Sequence, residues 1–295
     1  MNLQESLLAQ CHFAPRGHAA DVAVSGGPDS VGLLLLARSA GLVIHAHHVD
    51  HHARPASTKD ADVVRDICSR LEVPLSVYDV VVEPGANFEA RARAARRGAL
   101  PAGVLTGHTM DDLAETVLLN MLRGAGLDGL SPMVGDPTKP LVDVRRNDLH
   151  YFVASSGFQP VYDETNESPD FRRNRVRHEV LPVLGDVAQR DVVPLLARQA
   201  ALVHEERAWL DEIARPDLAR ELDDVDCREL RAWPSARLRR WLRVRLRHDD
   251  ADGAHPPTSE EIERAIAVVR GEVVATELTG KKRLSRSAQR LTLEE

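Results

Sequence analysis

Along the first half of the chain, short apolar runs alternate with longer stretches whose apolar residues recur at helical spacing. The runs 21–24, 42–49, 75–82 and 103–106 read as strands, and helical patterns cover 31–40, 58–71, 88–98 and 111–122. This alternation predicts βαβ units and a doubly wound parallel α/β sheet covered on both faces. The first of the helices, 31–40, reads as amphipathic. In such sheets ligands sit beyond the carboxyl ends of the strands. The segments that follow the strands hold the unusual polar residues: SGGPDS (25–30), DHHAR (50–54) and GHTMDD (107–112).

Further along, a helix is expected over 143–156 with Gly157 as its stop. A polar, turn-rich stretch covers 160–174, and helices resume near 175 and over 187–213. Around Arg215-Pro216 the chain is expected to leave a catalytic domain, 1–214 with its core at about 18–185, for a smaller, mainly helical domain, 215–295. There the pattern gives helix over 228–246, a breaker-rich loop 249–258, a helix 259–270 and one or two strands in the tail 272–293.

Composition narrows the class. The chain has 295 residues, 43% of them hydrophobic and 28% charged, which suits a globular protein with a sizeable core. No apolar run approaches the roughly 20 residues that span a bilayer. The N-terminus lacks a basic region ahead of an apolar core, so no secretory signal is expected and the expected location is the cytoplasm. Cys11, Cys68 and Cys227 are too dispersed for a disulfide framework or a C-x-x-C pair. A net charge of -7 argues against indiscriminate nucleic-acid binding. Arginine is nevertheless clustered, at Arg172, Arg173, Arg175 and Arg177 and again between Arg237 and Arg247, and such stripes can hold a polyanion on one face.

The strongest chemical signal is Ser25-Gly26-Gly27-Pro28-Asp29-Ser30, between a buried strand and a helix start. Glycines admit a ligand close to the backbone, and a helix start offers unpaired N–H groups to an anion. Ser25 and Ser30 add hydroxyl donors, and Asp29 adds a carboxylate suited to magnesium. The loop lacks the Lys-Ser/Thr ending of the common NTPase loop. It resembles the pyrophosphate-binding loop of ATP pyrophosphatases, which split ATP to AMP and PPi.

After the second strand, the histidines from His47 to His52 invite a zinc reading. Adjacent strand residues face opposite ways, however, and no Cys or carboxylate lies nearby at ligand spacing. Asp50 and His51 read better as lining a nucleotide cleft. After the fourth strand, Gly107 and His108 precede a helix capped by Thr109, with Asp111 and Asp112 in its first turn. His108, Asp112 and Glu115 can converge on one helix face, to bind magnesium or cradle a cationic substrate. Arg123, in the glycine-rich loop that follows, could reach a phosphate. Arg173, Asn174, Arg175 and Arg177 would hold phosphates if their helix start faces the cleft. Arg239 and Arg243 lie on a C-terminal helix whose apolar set, Trp233, Leu238, Trp241, Leu242 and Leu246, reads as core.

Taken in order, SGGPDS, HVDHHAR, GHTMDDLAETVLLNMLRGAGLDGL, KPLVDVRR, DETN and RRNRVRHEVLP resemble the tRNA(Ile)-lysidine synthetase family over about residues 20–185. The resemblance implies an adenine nucleotide alpha hydrolase-like fold and a two-step ligation. ATP would adenylate O2 of the wobble cytidine in an isoleucine tRNA with a CAU anticodon, releasing PPi. The free amine of L-lysine would then attack C2, AMP would depart, and decoding would change from AUG to AUA. It further implies that Gly26, Gly27, Ser25 and Ser30 bind the pyrophosphate, with Pro28, Asp50 and Gly107 beside the ATP. Asp29 with Asp112 or Glu115 would hold Mg2+, and a carboxylate or His108 would orient the amine and take its proton. Arg173 or Arg177 would bind tRNA or ATP phosphate and stabilise the activated cytidine, while Asn174, Arg175, Arg123, Arg239 and Arg243 would grip tRNA. The sequence leaves a homodimer open.

Three rivals remain at this point. A tRNA thiolation enzyme would need placed reactive cysteines, which the chain lacks. An amidating synthetase for a small molecule would leave DETN and RRNRVR unexplained. An inactive nucleotide-sensing or RNA-binding module has no reason to carry Ser25, Asp29, Ser30, Asp112 and Glu115 together.

Overall fold

The computed structural model describes residues 2–50, 57–80, 91, 95, 98–161, 171–250, 253–255 and 257–294. The segments 51–54 and 163–166, and most of the expected helix 88–98, lie outside the described residues. The described part forms two compact units: residues 1–120 with 131–201, and residues 121–130 with 202–295.

The first unit begins with a short helix, α1 (Leu3–Leu8), closed by a reciprocal Asn2–Glu5 capping box and anchored by buried Leu7. Three strands follow, β1 (Ala19–Ala23), β2 (Val43–Asp50) and β3 (Leu75–Asp79), paired in parallel in the order β1-β2-β3. They are separated by α2 (Pro28–Ser39) and α3 (Ser57–Arg70). The expected fourth strand is reduced to one parallel bridge, Val22 with Leu105, on the other side of β1. Leu105 N–H donates to Asp21 O at 2.8 Å and Leu105 O accepts from Ala23 N–H at 2.9 Å. The strand order thus reverses at β1, with later segments added on its other side, which is where doubly wound folds open a ligand crevice.

Helix α2 departs from the expected amphipathic pattern: residues 30–37 are all buried. An all-round apolar helix belongs inside, and Leu33, Leu34 and Leu36 join Val22, Ile44, Val64 and Ile67 in one core. Beyond α4 (Met110–Leu122), α5 (Arg146–Ser155) packs on α2. A Cβ on Gly32 would come within 2.5 Å of Leu149 Cδ1, so glycine sets how closely these helices approach. Helix α5 stops at Gly157, whose φ of +74° suits glycine.

The arginine-rich segment is one helical run: α6 (Arg172–Arg175), a π turn (Val176–Val180) and α7 (Leu181–Ala188). Pro182 lacks the N–H that an α-helix would direct at His178, and the backbone widens by one residue ahead of it, with Leu181 N–H reaching Val176 O. The single helix expected over 187–213 is instead interrupted. Gln189 ends α7 in the left-handed region at φ 51°, and α8 (Val193–Leu218) starts where Asp191 Oδ1 accepts the Val193 N–H at 3.0 Å.

In the second unit, the expected helix 228–246 is likewise two, α9 (Cys227–Ala232) and α10 (Ser235–Arg245), parted at Trp233-Pro234. Residues His248–Asp250 and Gly253–His255 pair as a small hairpin, β4 and β5, inside the segment expected as loop. Helix α11 (Ser259–Arg270) matches its expected bounds, with a Thr258–Glu261 capping box and Gly271 as left-handed stop. The tail forms three antiparallel strands rather than one or two, β6 (Ala275–Glu277), β7 (Arg283–Ser287) and β8 (Arg290–Glu294). The expected apolar set of α10 is buried with Ile262, Ile266, Leu284 and Leu291. No helix among the described residues is long and apolar enough to cross a membrane.

Candidate active site

The loop after β1 is held by its own hydroxyls. Ser25 N–H donates to Ser30 Oγ at 3.1 Å, Ser30 Oγ–H donates to Gly27 O at 2.9 Å, and the two hydroxyls lie 3.1 Å apart. Gly26 stands at φ +90°, a conformation that a side chain would strain. Gly27 caps α2 without a side-chain bond, and Pro28 opens the helix, so the first-turn N–H groups face outward for an anion. Opposite, the backbone of Gly107 lies against that of Asp29. A Cβ there would sit 2.6 Å from Asp29 O and 3.2 Å from Ser30 N.

Between these loops opens a cleft of about 840 Å³. Its lining includes Ser25, Asp29, Ser30, Asp50, His108 and Arg173. Sequence-predicted Gly107 and Asp112 line it too, so the structure brings most of the expected ATP and catalytic positions to one cavity. His48, also on the wall, is occupied in packing, with Nδ1 on Val24 O at 2.7 Å.

Asp112 and Arg173 on the cleft wall belong to a cluster of buried carboxylates and guanidiniums. Its other members, Glu115, Arg146 and Arg177, line a separate cavity of about 230 Å³, so the expected catalytic residues Glu115 and Arg177 do not reach the cleft. Glu115 is 0% exposed. Its Oε1 accepts from Arg146 Nη1 at 2.9 Å and Arg177 Nε at 2.7 Å; its Oε2 accepts from Arg173 Nε at 2.7 Å and Arg177 Nη2 at 3.3 Å. Asp112 Oδ1 accepts from Arg146 Nη2 at 2.8 Å and Arg173 Nη2 at 3.1 Å, while Oδ2 takes the Thr109 N–H and hydroxyl. Burial alone would push the Asp112 carboxyl up; Arg146, Arg173 and the Thr109 N–H outweigh it and hold it below the usual carboxylate range. Arg146 is nearly buried. Burial opposes its charge, but Asp112, Glu115 and Asp29 hold it firmly protonated.

Sequence reasoning gave Arg146 no role. It nevertheless ties Asp112 and Glu115 to Asp29, whose Oδ2 lies 3.8 Å from its Nε. The signal was present in KPLVDVRR, but its partners come from helices far along the chain. His150, also unassigned, holds Asp29 Oδ1 at 2.8 Å. Asp111 turns away from the cleft. It accepts the N–H of Arg146 at 2.8 Å and both arms of Arg145, which also pairs with Asp191.

Magnesium, expected on Asp29 and Glu115, fits these residues unequally. Asp29 offers a half-exposed carboxylate beside the phosphate loop. Glu115 does not fit, because both its oxygens are engaged by guanidiniums.

Thr106 organises His108. Its Oγ1 accepts from Lys139 Nζ at 2.7 Å, donates to Thr138 O at 3.3 Å, and lies 2.8 Å from His108 Nδ1.

The remaining predicted tRNA contacts are less uniform. Arg173 and Arg177 point inward, Asn174 is buried, and Arg175 is exposed and paired with Glu179 at 2.9 Å. In the second unit Arg123 is exposed, Arg239 pairs with Glu263 at 2.6 Å, and Arg243 lies against Gly126 with Asp128 3.7 Å away.

Known proteins fit this geometry. A family model described as a PP-loop domain matches residues 3–184. The tRNA(Ile)-lysidine synthase of Thermobifida fusca is 37% identical over 249 residues, 78% of this chain and 76% of that protein. Its counterpart in Rhodococcus erythropolis is 35% identical over 268 residues, 87% and 81% of the two chains. Among solved structures, the U34-tRNA thiolase NcsA from Methanococcus maripaludis aligns with a TM-score of 0.55 at 15% identity, over 69% of this chain and 77% of that one, a likeness of fold. Sharing more than a third of its residues with lysidine synthases over most of its length, and a PP-loop domain that houses the whole cleft, the chain belongs to the tRNA(Ile)-lysidine synthase family.

Proposed function

We propose that the protein ligates L-lysine to the wobble cytidine of an isoleucine tRNA with a CAU anticodon, with ATP as the activating substrate. The observation that supports this best is the acid–arginine cluster of Asp112, Glu115, Arg146, Arg173 and Arg177 beside a phosphate loop pressed against Gly107.

In the first step cytidine O2 attacks the α-phosphorus of ATP and the bond to pyrophosphate breaks. The N–H groups at the start of α2, with Ser25 and Ser30, receive the charge that builds on the leaving pyrophosphate. Asp29 is the residue placed to hold Mg2+, which when bound neutralises phosphate charge. In the second step the lysine amine attacks C2 of the adenylated base, and AMP leaves with the former O2. The amine must lose a proton, since only the neutral form is nucleophilic. His108 accepts it. Asp112, held ionised with its oxygens on Arg146, Arg173 and Thr109, fixes Arg173 at the cleft wall. Glu115 holds Arg173 in place at the cleft wall, which keeps its charge available to the activated base, while Arg177 and Arg146 keep the buried Glu115 carboxylate paired.

Arg175 and Arg123, with Arg239 and Arg243, are the proposed tRNA contacts; Asn174, expected among them, is buried and supports the fold of its helix start instead. Arg239 would exchange its exposed Glu263 partner for a phosphate, a modest cost because surface pairs contribute little. The test follows the stoichiometry of the two steps. PPi release should require CAU tRNA but not lysine, whereas AMP release should require both. Release of both products without tRNA would overturn the proposal.

A further inference from the structure

One face of the β1-β2-β3 sheet carries a polar cluster to which lysine ligation assigns no step, although one member, His47, also lines the cleft. Asp21 of β1 is in register with His45 of β2, and Ala23 with His47, so Asp21, His45 and His47 stand on the same face. One ligand atom from each lies within 4.8 Å of the other two, the one such group among the described residues. His47 Nε2 meets Asp21 Oδ1 at 2.7 Å, and its Nδ1 meets Tyr78 Oη at 2.9 Å. His45 Nε2 meets Ser76 Oγ at 3.0 Å, and the two imidazoles stack with centroids 4.6 Å apart. Both hydroxyls come from β3, so each ring is oriented by a partner on the next strand.

We propose that Asp21, His45 and His47 form a zinc site that ties β1 to β2. Two imidazoles and one carboxylate, with water as fourth ligand, suit Zn2+ far better than Mg2+ or Ca2+. Metal-bound histidines characteristically have a hydrogen-bonding partner on the second nitrogen, which Tyr78 gives His47 and Ser76 gives His45. With zinc on His47 Nε2 in place of Asp21, the ring hydrogen sits on Nδ1, where Tyr78 Oη accepts it. Zinc bonds of about 2.0–2.1 Å require the ligand atoms to close to roughly 3.4 Å. His47 is fixed in the wall at 4% exposure, while the Asp21 side chain is 42% exposed and His45 is exposed, so these two can rotate to meet it. The histidine run alone lacked a carboxylate at ligand spacing; the neighbouring strand supplies one.

The test is calorimetric titration of Zn2+ into the chelator-treated full chain, with Mg2+ present throughout. One zinc ion should bind per chain, and His45→Ala or Asp21→Ala should each weaken that binding at least roughly tenfold. At a zinc concentration near the Kd of the unsubstituted protein, zinc should raise its Tm clearly more than that of either variant. His45 is exposed, so its removal is compatible with folding, to be checked by circular dichroism. No zinc uptake, or uptake that survives both substitutions, overturns the site.

Discussion

The backbone of Gly107 lies so close to that of Asp29 that a single added methyl group would come within 2.6 Å of the Asp29 carbonyl oxygen. The contact joins the two loops that emerge at the crevice between β1 and the segment 103–106. It therefore sets the distance between the phosphate loop and the acids of α4. Gly107→Ala should force the loops apart, since backbone atoms cannot step aside as a flexible side chain can. The expected result is a fall in kcat/KM for ATP of roughly 100-fold or more, a displacement of about 1 Å sufficing for that. Tm should change little by comparison. Full activity in this variant would show that the contact does not position the loops.

Arg146 is the hub of the buried charge cluster, and its removal leaves Asp112 and Glu115 short of cation. Breaking a buried pair from one side costs about 3–5 kcal/mol. Arg146→Ala should therefore lower Tm by roughly 6–15 °C. Arg146→Lys keeps the charge but cannot reach Asp112 and Glu115 with two arms at once, so it should recover only part of the loss. Thermal unfolding of the two variants measures this; equal stability of all three proteins would remove Arg146 from its organising place.

His108 should matter to one step more than the other. His108→Gln keeps a polar side chain of similar reach but no base. Lysine transfer should slow by about 10²–10⁴-fold, the usual loss for a general base, while adenylation measured as PPi release in a single turnover stays within a few-fold. Raising the pH should partly rescue transfer by deprotonating lysine in solution. An equal loss in both steps would assign His108 to ATP binding instead.

The thiols should be dispensable. Burial pushes the Cys11 thiol up to about 12 and Cys68 up to about 11, and it raises Cys227 as well. At neutral pH all three stay protonated, and the thiol is not the nucleophile. A chain with Cys11, Cys68 and Cys227 all replaced by Ala should ligate lysine at an unchanged rate per folded molecule. Loss of turnover in a variant of normal stability would give one of the thiols a part in the reaction.

The sheet and its phosphate loop were legible because period and punctuation are local: apolar runs, a glycine pair and a helix start appear within a dozen residues. Helix α11 was read to the residue for the same reason, with Thr258 and Glu261 at one end and Gly271 at the other. The interior of the site was not legible in the same way. Glu115 reads as a magnesium ligand until Arg146, Arg173 and Arg177 arrive from two other segments and occupy its oxygens. Helix α2 reads as amphipathic until α5 covers what would have been its outer face. Both errors come from partners far apart in sequence, which pattern alone cannot supply. The segment 163–166, part of the family resemblance, lies outside the described residues.

The proposed reaction joins lysine to an anticodon cytidine in this cleft. It is tested most directly by incubating the protein with ATP, Mg2+, radiolabelled L-lysine and an isoleucine tRNA transcript carrying CAU, then counting label in the tRNA. One lysine per tRNA is predicted, dependent on ATP and absent when the anticodon lacks the wobble cytidine. ATP cleavage without label in the tRNA, or label that ignores the anticodon, would contradict it.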